Sequence, residues 1–314
     1  MPSSFARLLA VVFVSSAAVA PSGQATLLDA NDVAISSIVV FETDFGDITV
    51  GLFDSTTPQT VANFLNYVEG TTVNGGQYNP GFFHRYVPGF VIQAGYSNLF
   101  LQEDFPGLQG DTLSNPLPVD APVVNEPFVS NTLGTIAMAK VGGNPNSATS
   151  QFFFNLDDNS ANLDVQNGGF TAFGRVIDGL DLLLNGTAAL TPVNLSGLFL
   201  DGAYVSVPVE DFENPLDLDN WVSYTVSTVL QGDYNGDGFV NAADYTAWAD
   251  NFGSLTELDA DGNYDGVVDA ADYTIWADNF GQTSGNTAPS TIPEPTTAAL
   301  IALTVPMLLK RRSA

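Results

Sequence analysis

Cysteine is absent from the chain, which excludes a disulfide framework, a thiolate nucleophile and any cysteine-based metal site. Positive charge is nearly absent too. Seven lysines and arginines face 35 acidic residues, a formal charge of −28, and a body so negative disfavours nucleic acid and anionic membrane as partners. The same imbalance suits bound divalent cations or a salty exterior. Between Thr26 and Pro295 only Arg85, Lys140 and Arg175 are basic, and the one histidine is His84. No apolar run is long enough for a permanent membrane span: Leu8–Val14 and Thr296–Leu309 are both short. What remains is ample for folding. Hydrophobic residues make up 45% of 314, enough for packed cores in two or more domains.

The ends read as addresses. Arg7 precedes the apolar run Leu8–Val14, and Ala18-Val19-Ala20 has the form of a cleavage site, with Gly23-Gln24-Ala25 as a second candidate. Residues 1–25 therefore read as a signal peptide. At the other end a linker at 284–292 leads to Pro293-Glu294-Pro295, the apolar run Thr296–Leu309 and Lys310-Arg311-Arg312. Segment 293–314 resembles the PEP-CTERM sorting signal. That resemblance implies transient contact with the inner membrane, basic end inside, and an exported protein in the periplasm, cell envelope or extracellular surface of a Gram-negative-type bacterium.

The body from 37 to 230 is mainly β. Ile38–Thr43 and Ile48–Phe53 flank Asp44-Phe45-Gly46-Asp47, a hairpin pattern. A helix follows, with Thr57 as cap, Pro58 in its first turn and Gly70 at its end. Its Val61, Phe64, Leu65 and Val68 recur at helical spacing and predict one inward face. Short runs at 82–87, 90–94, 134–139, 150–155 and 170–176 predict strands of an all-β barrel or sandwich. Residues 97–125 read as a surface loop. Asp181–Asn185 opens a second helix, Ala203–Val209 and Trp221–Val229 read as closing strands, and 210–220 as an inserted turn.

Three blocks carry a family resemblance. Phe83-His84-Arg85, Pro88-Gly89-Phe90 and Gln93-x-Gly95 form the first; Gly134–Lys140 with Ser150-Gln151-Phe152-Phe153-Phe154 the second; Phe173–Gly179 the third. In that order they resemble the cyclophilin-type peptidyl-prolyl cis/trans isomerases. The resemblance implies an eight-stranded antiparallel barrel capped by two helices, no cofactor for the isomerase, and proline-containing peptides or proteins as partners. It makes Arg85 an electrostatic donor, Phe90, Phe153 and Leu163 a proline pocket, and Gln93 a hydrogen-bonding partner of the substrate backbone. His84 would line the site without an acid–base role. Val91, Ala139, Lys140 and Phe170 would complete the substrate groove, Lys140 through its backbone. Val91 stands where relatives commonly carry methionine; Asn162 and Phe170 stand where eukaryotic relatives often carry tryptophan and histidine. The alternative is a non-catalytic proline-peptide binder or a calcium-dependent cell-envelope assembly protein.

Residues 231–283 hold an internal repeat. Asp233, Asn235, Asp237, Asn241 and Asp244 recur 28 residues later as Asp261, Asn263, Asp265, Asp269 and Asp272. Oxygen ligands at loop positions 1, 3, 5, 9 and 12, a backbone carbonyl at position 7 (Phe239, Val267) and glycine at 6 make a calcium loop of EF-hand type. Aspartate at position 12 and no preceding helix resemble type I dockerin repeats. That resemblance implies a small α-helical module folded by Ca2+, with a possible cohesin-like partner. Tyr245, Trp248 and Phe252, and again Tyr273, Trp276 and Phe280, predict one packing face per exit helix. The chain is expected to act as a monomer.

Overall fold

A computed structural model describes residues 27–28, 33–97, 116–199, 202–213, 215 and 220–284. The signal-peptide and sorting readings, the linker from 285 onward and residues 98–115 of the expected loop lie outside the described residues. Strands β1 (Leu27–Leu28) and β2 (Ala34–Ile35) form a small ribbon. Strands β3 (Ser37–Thr43) and β4 (Gly46–Leu52) form the expected hairpin, with Gly46 at φ +110° beside the two-residue turn.

Helix α1 (Pro58–Glu69) ends at Gly70 in the left-handed conformation, φ +66°. Its start corrects the expected cap. The Thr57 hydroxyl donates back to the Phe53 carbonyl at 3.2 Å and leaves the helix end uncapped. The buried Glu126 carboxylate takes over, accepting from the Gln59 and Thr60 backbone N–H groups at 3.3 and 2.9 Å and from the Thr60 hydroxyl at 2.7 Å. A carboxylate there satisfies orphan donors and meets the positive end of the helix dipole.

Next come β5 (Gly81–Phe82), β6 (Arg85–Val87), β7 (Val91–Ala94), β8 (Thr135–Met138), β9 (Phe152–Asn155), α2 (Ser160–Leu163), β10 (Ala172–Asp178) and α3 (Leu180–Ala188). Then follow β11 (Thr191–Val193), α4 (Ser196–Phe199), β12 (Val207–Val209), β13 (Ser223–Thr228), α5 (Ala242–Asn251) and α6 (Ala270–Asn279).

Among the described residues the main sheet has nine strands in the order β5-β13-β3-β4-β10-β8-β9-β7-β6. The expected number was eight. The two outermost strands are halves of one segment, 81–87. Its first half pairs with β13 and its second with β7, so the sheet curls until its ends meet in a single bent strand. Inside, Phe41, Phe64, Phe152, Phe154 and Tyr224 pack ring against ring, with Phe41 and Phe154 5.3 Å apart edge to face. Helix α1 packs on β13 and α3 on β4.

The reading of Ala203–Val209 as a closing strand is corrected. Only Val207–Val209 is extended, and it pairs with β11 in a separate two-stranded sheet where Pro192 faces Pro208. Two prolines lack the donors that an interior strand needs. This ribbon covers a second small core of Phe82, Tyr204 and Trp221. Strand β13 joins the main sheet.

The repeat folds as two loops, each followed by one helix, and no helix directly precedes either loop. Each helix start carries a capping box, Asn241 with Asp244 and Asp269 with Asp272. The halves interlock symmetrically. Trp248 Nε1 donates to the Asp269 carbonyl at 2.7 Å and Trp276 Nε1 to the Asn241 carbonyl at 2.8 Å. Tyr245 and Tyr273 reach across between the helices, while Phe252 and Phe280 rest on their own tryptophans. The pair leans on the barrel. Tyr264 packs against Ile35, Ile38 and Phe53, and Gln231 Nε2 donates to the Ser36 carbonyl at 2.8 Å. Burial, then the nearby Asp178 carboxylate, pushes the Tyr264 phenol up to about 12.

Candidate active site

Antiparallel register builds the site. Residues directly opposite one another across antiparallel strands project to the same face. Here Arg85 faces Gln93, Gln93 faces Phe153, Phe153 faces Ala137, and Ala137 faces Ala172. One row thus crosses five strands on the outer surface of the sheet. The next row, Tyr86–Ile92–Phe154–Ile136, points into the core, because the strand period is two.

That outer row floors a groove of about 310 Å³ lined by Arg85, Phe90, Val91, Gln93, Ala139, Lys140, Phe153, Leu163 and Phe170, with Asn162 and Gln166 at its rim. Val91, Phe153 and Leu163 are buried and form an apolar cluster with Phe90 and Phe170. Phe153 and Phe170 meet edge to face, centroids 5.9 Å apart. The walls are held from behind. Asn159 Nδ2 donates to the Phe90 carbonyl at 2.8 Å, the Leu163 N–H donates to the Asn159 carbonyl, and the Phe170 N–H donates to the Leu163 carbonyl.

Arg85 is half-buried. Its Nη1 donates to Gln93 Oε1 at 3.2 Å, and Gln93 Nε2 donates to Gln151 Oε1 at 2.8 Å. Among the described residues no carboxylate pairs with this guanidinium, and burial lowers its pKa. The chain Gln151–Gln93–Arg85 orients the donor through neutral amides and leaves its charge uncompensated. Gln93, expected to hold substrate, is thus also the anchor of Arg85.

His84 does not line the groove. It is buried at 1% exposure against Tyr96, centroids 5.4 Å apart. His84 stands just before β6, where segment 81–87 bends between its two sheet edges, and its N–H donates to the Gln93 carbonyl at 3.0 Å. Lys140 contributes more than backbone: its ammonium donates to Asn125 Oδ1 and to the carbonyls of Asn167 and Gly169. Gln151, Asn159 and Asn125 were not among the expected site residues. Gln151 had a signal, two residues before Phe153 on the same face of an extended segment. The two asparagines act across 69 and 15 residues of chain and left none.

In the duplicated loops the side chains fold inward on backbone N–H groups. Asp233 accepts from Asp237 and Gly238, and Asp261 from Asp265 and Gly266, at the same positions. Asp237 and Asp265 accept from Phe239 and Val267. Asp244 and Asp272, both fully buried, accept from Asn241 and Asp269, and Asn235 and Asn263 each donate to the next aspartate. Burial raises the pKa of Asp261 and Asp272. Among the described residues no group of three or more His, Cys, Asp or Glu side chains is gathered closely enough to hold a metal ion. The donors are nonetheless all hard oxygens (carboxylate, amide and carbonyl), a set that fits calcium rather than a softer metal.

Residues 38–189 match the family model described as cyclophilin type peptidyl-prolyl cis-trans isomerase/CLD. The match ends before the duplicated loops. Peptidyl-prolyl cis-trans isomerase B of Escherichia coli (strain K12) is 36% identical over 150 residues, covering 46% of this chain and 81% of that protein. A peptidyl-prolyl cis-trans isomerase of Acinetobacter baylyi is 34% identical over 160 residues, 50% of this chain and 74% of that protein. A crystal structure of a Cryptosporidium parvum cyclophilin type peptidyl-prolyl cis-trans isomerase, in the presence of the dipeptide Ala-Pro, aligns with 20% identity and a TM-score of 0.41 over 62% of this chain and 99% of that one. With its three blocks in order and these relatives covered over most of their length, the chain belongs to the cyclophilin-type peptidyl-prolyl cis-trans isomerases.

Proposed function

We propose that this isomerase turns prolyl bonds of exported polypeptides in the groove beneath Arg85. The barrier to rotation is about 18–20 kcal/mol because the amide is resonance-stabilised. In the twisted state resonance is lost and the proline nitrogen gains a lone pair. A fixed cation aimed at that nitrogen stabilises the twisted amide above either planar form. Phe90, Phe153 and Leu163 hold the pyrrolidine ring, and Gln93 sits beside both Arg85 and the space for the substrate backbone. No proton changes hands, which agrees with a site that holds no histidine.

The observation carrying this reading is the half-buried guanidinium at the groove, held by Gln93 and unpaired with any described carboxylate. Arg85→Ala is expected to lower kcat/KM on a proline-peptide substrate roughly 100- to 1,000-fold while leaving the fold intact. Undiminished catalysis would refute the mechanism. Peptide binding without any acceleration by the wild type would favour a binding protein instead.

Two further parts complete the reading. Export rests on the charge-apolar-small order of residues 1–25 and on the tail at 293–314. Calcium rests on the duplicated hard-oxygen set: Asp233, Asn235, Asp237, Phe239, Asn241 and Asp244 would hold one ion, and Asp261, Asn263, Asp265, Val267, Asp269 and Asp272 the other. Bound calcium would neutralise clustered carboxylates and so favour the folded pair. Calorimetry on the full chain is expected to register calcium uptake, and no heat and no rise in Tm would overturn this part.

A further inference from the structure

Lys140 lies in the groove, yet its ammonium turns away from the floor toward one turn of chain. Nζ donates to Asn125 Oδ1 and to the Asn167 carbonyl, both at 3.0 Å, and to the Gly169 carbonyl. It also sits 4.7 Å above the centre of the Phe170 ring. Three neutral oxygens and one ring face therefore converge on a single cation, with no carboxylate among the described residues bonded to it.

The convergence is built into the backbone. Asn167, Gly168 and Gly169 all have positive φ, +50°, +78° and +78°. Such a run directs carbonyls inward where an ordinary helical continuation would carry them along the axis. A Cβ on Gly169 would stand 2.9 Å from the Asp164 carbonyl oxygen and 2.9 Å from Pro127, so the turn is seated closely as well. Asn125 closes it from outside, its Nδ2 donating to the Gly168 and Gly169 carbonyls at 2.9 Å each. The turn is flanked by Gln166 and Phe170, both of which line the groove.

We infer that Lys140 is a positioning residue for prolyl-peptide capture: its ammonium pins the 166–170 turn and thereby fixes Phe170 as the groove's far wall. Without the cation, the Asn167 carbonyl would lose its ammonium donor, while the Gly169 carbonyl and Asn125 Oδ1 would keep only the neutral donors Asn125 Nδ2 and Thr171 Oγ1, and each lost charge-assisted hydrogen bond costs more than a neutral one. The turn would move outward to solvate them and carry Phe170 off Phe153. Burial lowers the Lys140 pKa, in keeping with a cation held by dipoles rather than by a counter-charge. The inference rests on the proposed reading of the groove as the substrate site.

Lys140→Met and Lys140→Arg separate the roles in an isomerase assay with a proline peptide. Methionine keeps the unbranched apolar stem and removes the donors; arginine keeps charge and donors. Expected is a KM rise of about tenfold or more for K140M, the loss of roughly one charge-assisted hydrogen bond, with kcat affected less because Arg85 and Gln93 stay in place. K140R should recover most of the lost affinity. A wild-type KM in K140M, or equal damage in K140R and K140M, would overturn the inference. If K140M does not fold, Asn125→Leu, outside the groove, is held to the same KM criterion. An inactive wild type would instead refute the groove reading itself, so the two failures are distinguishable.

Discussion

Tyr264 breaks the symmetry of the two loops, and substitutions there test how the repeat pair is attached. The first loop carries tyrosine at position 2 and glycine at position 4; the second carries Gly262 at position 2 and Tyr264 at position 4. The first exchange has a local reason. Tyr234 reaches over to donate to the Asp272 carbonyl at 2.7 Å, and a Cβ on Gly262 would stand 2.5 Å from its hydroxyl. Tyr264 has no such reason within the pair. It holds φ +58°, where the first loop uses Gly236 at +71°, and a side chain in left-handed backbone costs about 1 kcal/mol or slightly more. Its return comes from the ring against Ile35, Ile38 and Phe53, about 1.5 kcal/mol for a partly buried aromatic. Tyr264→Gly relieves the strain and removes the packing, so overall stability should stay within about 1 kcal/mol. Tyr264→Ala removes the packing and keeps the strain, so it should lose roughly 1.5–2 kcal/mol. Both should undock the pair from the barrel. Denaturant melts give the stabilities, and hydrogen exchange at Ile38 and Val39 reports the docking. Equal stability of the two variants would refute the strain, and unchanged protection at β3 in both would refute the docking.

Other substitutions probe separate joints. Gln151→Leu frees Gln93 and should lower kcat/KM about tenfold, one oriented hydrogen bond removed from the Arg85 relay; a wild-type value in the isomerase assay would refute the relay. Glu126→Ala strips the start of α1 and leaves the buried Thr60 unsatisfied, an expected loss of about 2 kcal/mol in a denaturant melt, whereas Thr57→Val should cost much less. Gly95→Ala places a Cβ 2.5 Å from the Ser150 carbonyl at φ +77° and should destabilise by about 2 kcal/mol or more. Under the calcium proposal, Asn241→Asp should tighten binding at the first loop, as followed by calorimetry; unchanged binding would refute a ligand role for position 9.

Legibility in the sequence followed range. Features set by neighbours were readable: the β3–β4 hairpin, the helix from Pro58 to Gly70, and the spacing of Tyr245, Trp248 and Phe252. Features set across the fold were not. Thr57 has the right chemistry and place for a cap, yet the Glu126 carboxylate, 66 residues beyond the Thr60 N–H it accepts from, displaces it. The strand count differed because segment 81–87 bends at Phe83-His84 and serves both ends of the sheet, a division that no local pattern marks. His84 is a different case. It lies at that bend, just before β6, and packs on Tyr96, so its direction is set by the bend, which the matching block of letters did not show. Asn125, Gln151 and Asn159 support the site through polar contacts that become visible only once the strands and turns are assembled.

That no described carboxylate pairs with Arg85 has a thermodynamic consequence. In a chain with five acidic residues for every basic one, a carboxylate partner would be easy to supply, and under the proposed mechanism it would neutralise the field acting on the twisted amide. Amide oxygens orient the guanidinium and leave that field intact. The protein therefore bears a partly unmet desolvation penalty, visible in the lowered Arg85 pKa. Groups held for function in this way are replaced by apolar ones with a gain in stability. Arg85→Met, whose chain covers the same apolar floor, should raise the unfolding free energy from a denaturant melt by about 0.5–1 kcal/mol once solvent screening of a half-exposed group is allowed for. It should abolish most of the acceleration at the same time. A variant both inactive and less stable would mean that the guanidinium is a structural prop, with its charge already satisfied by the fold.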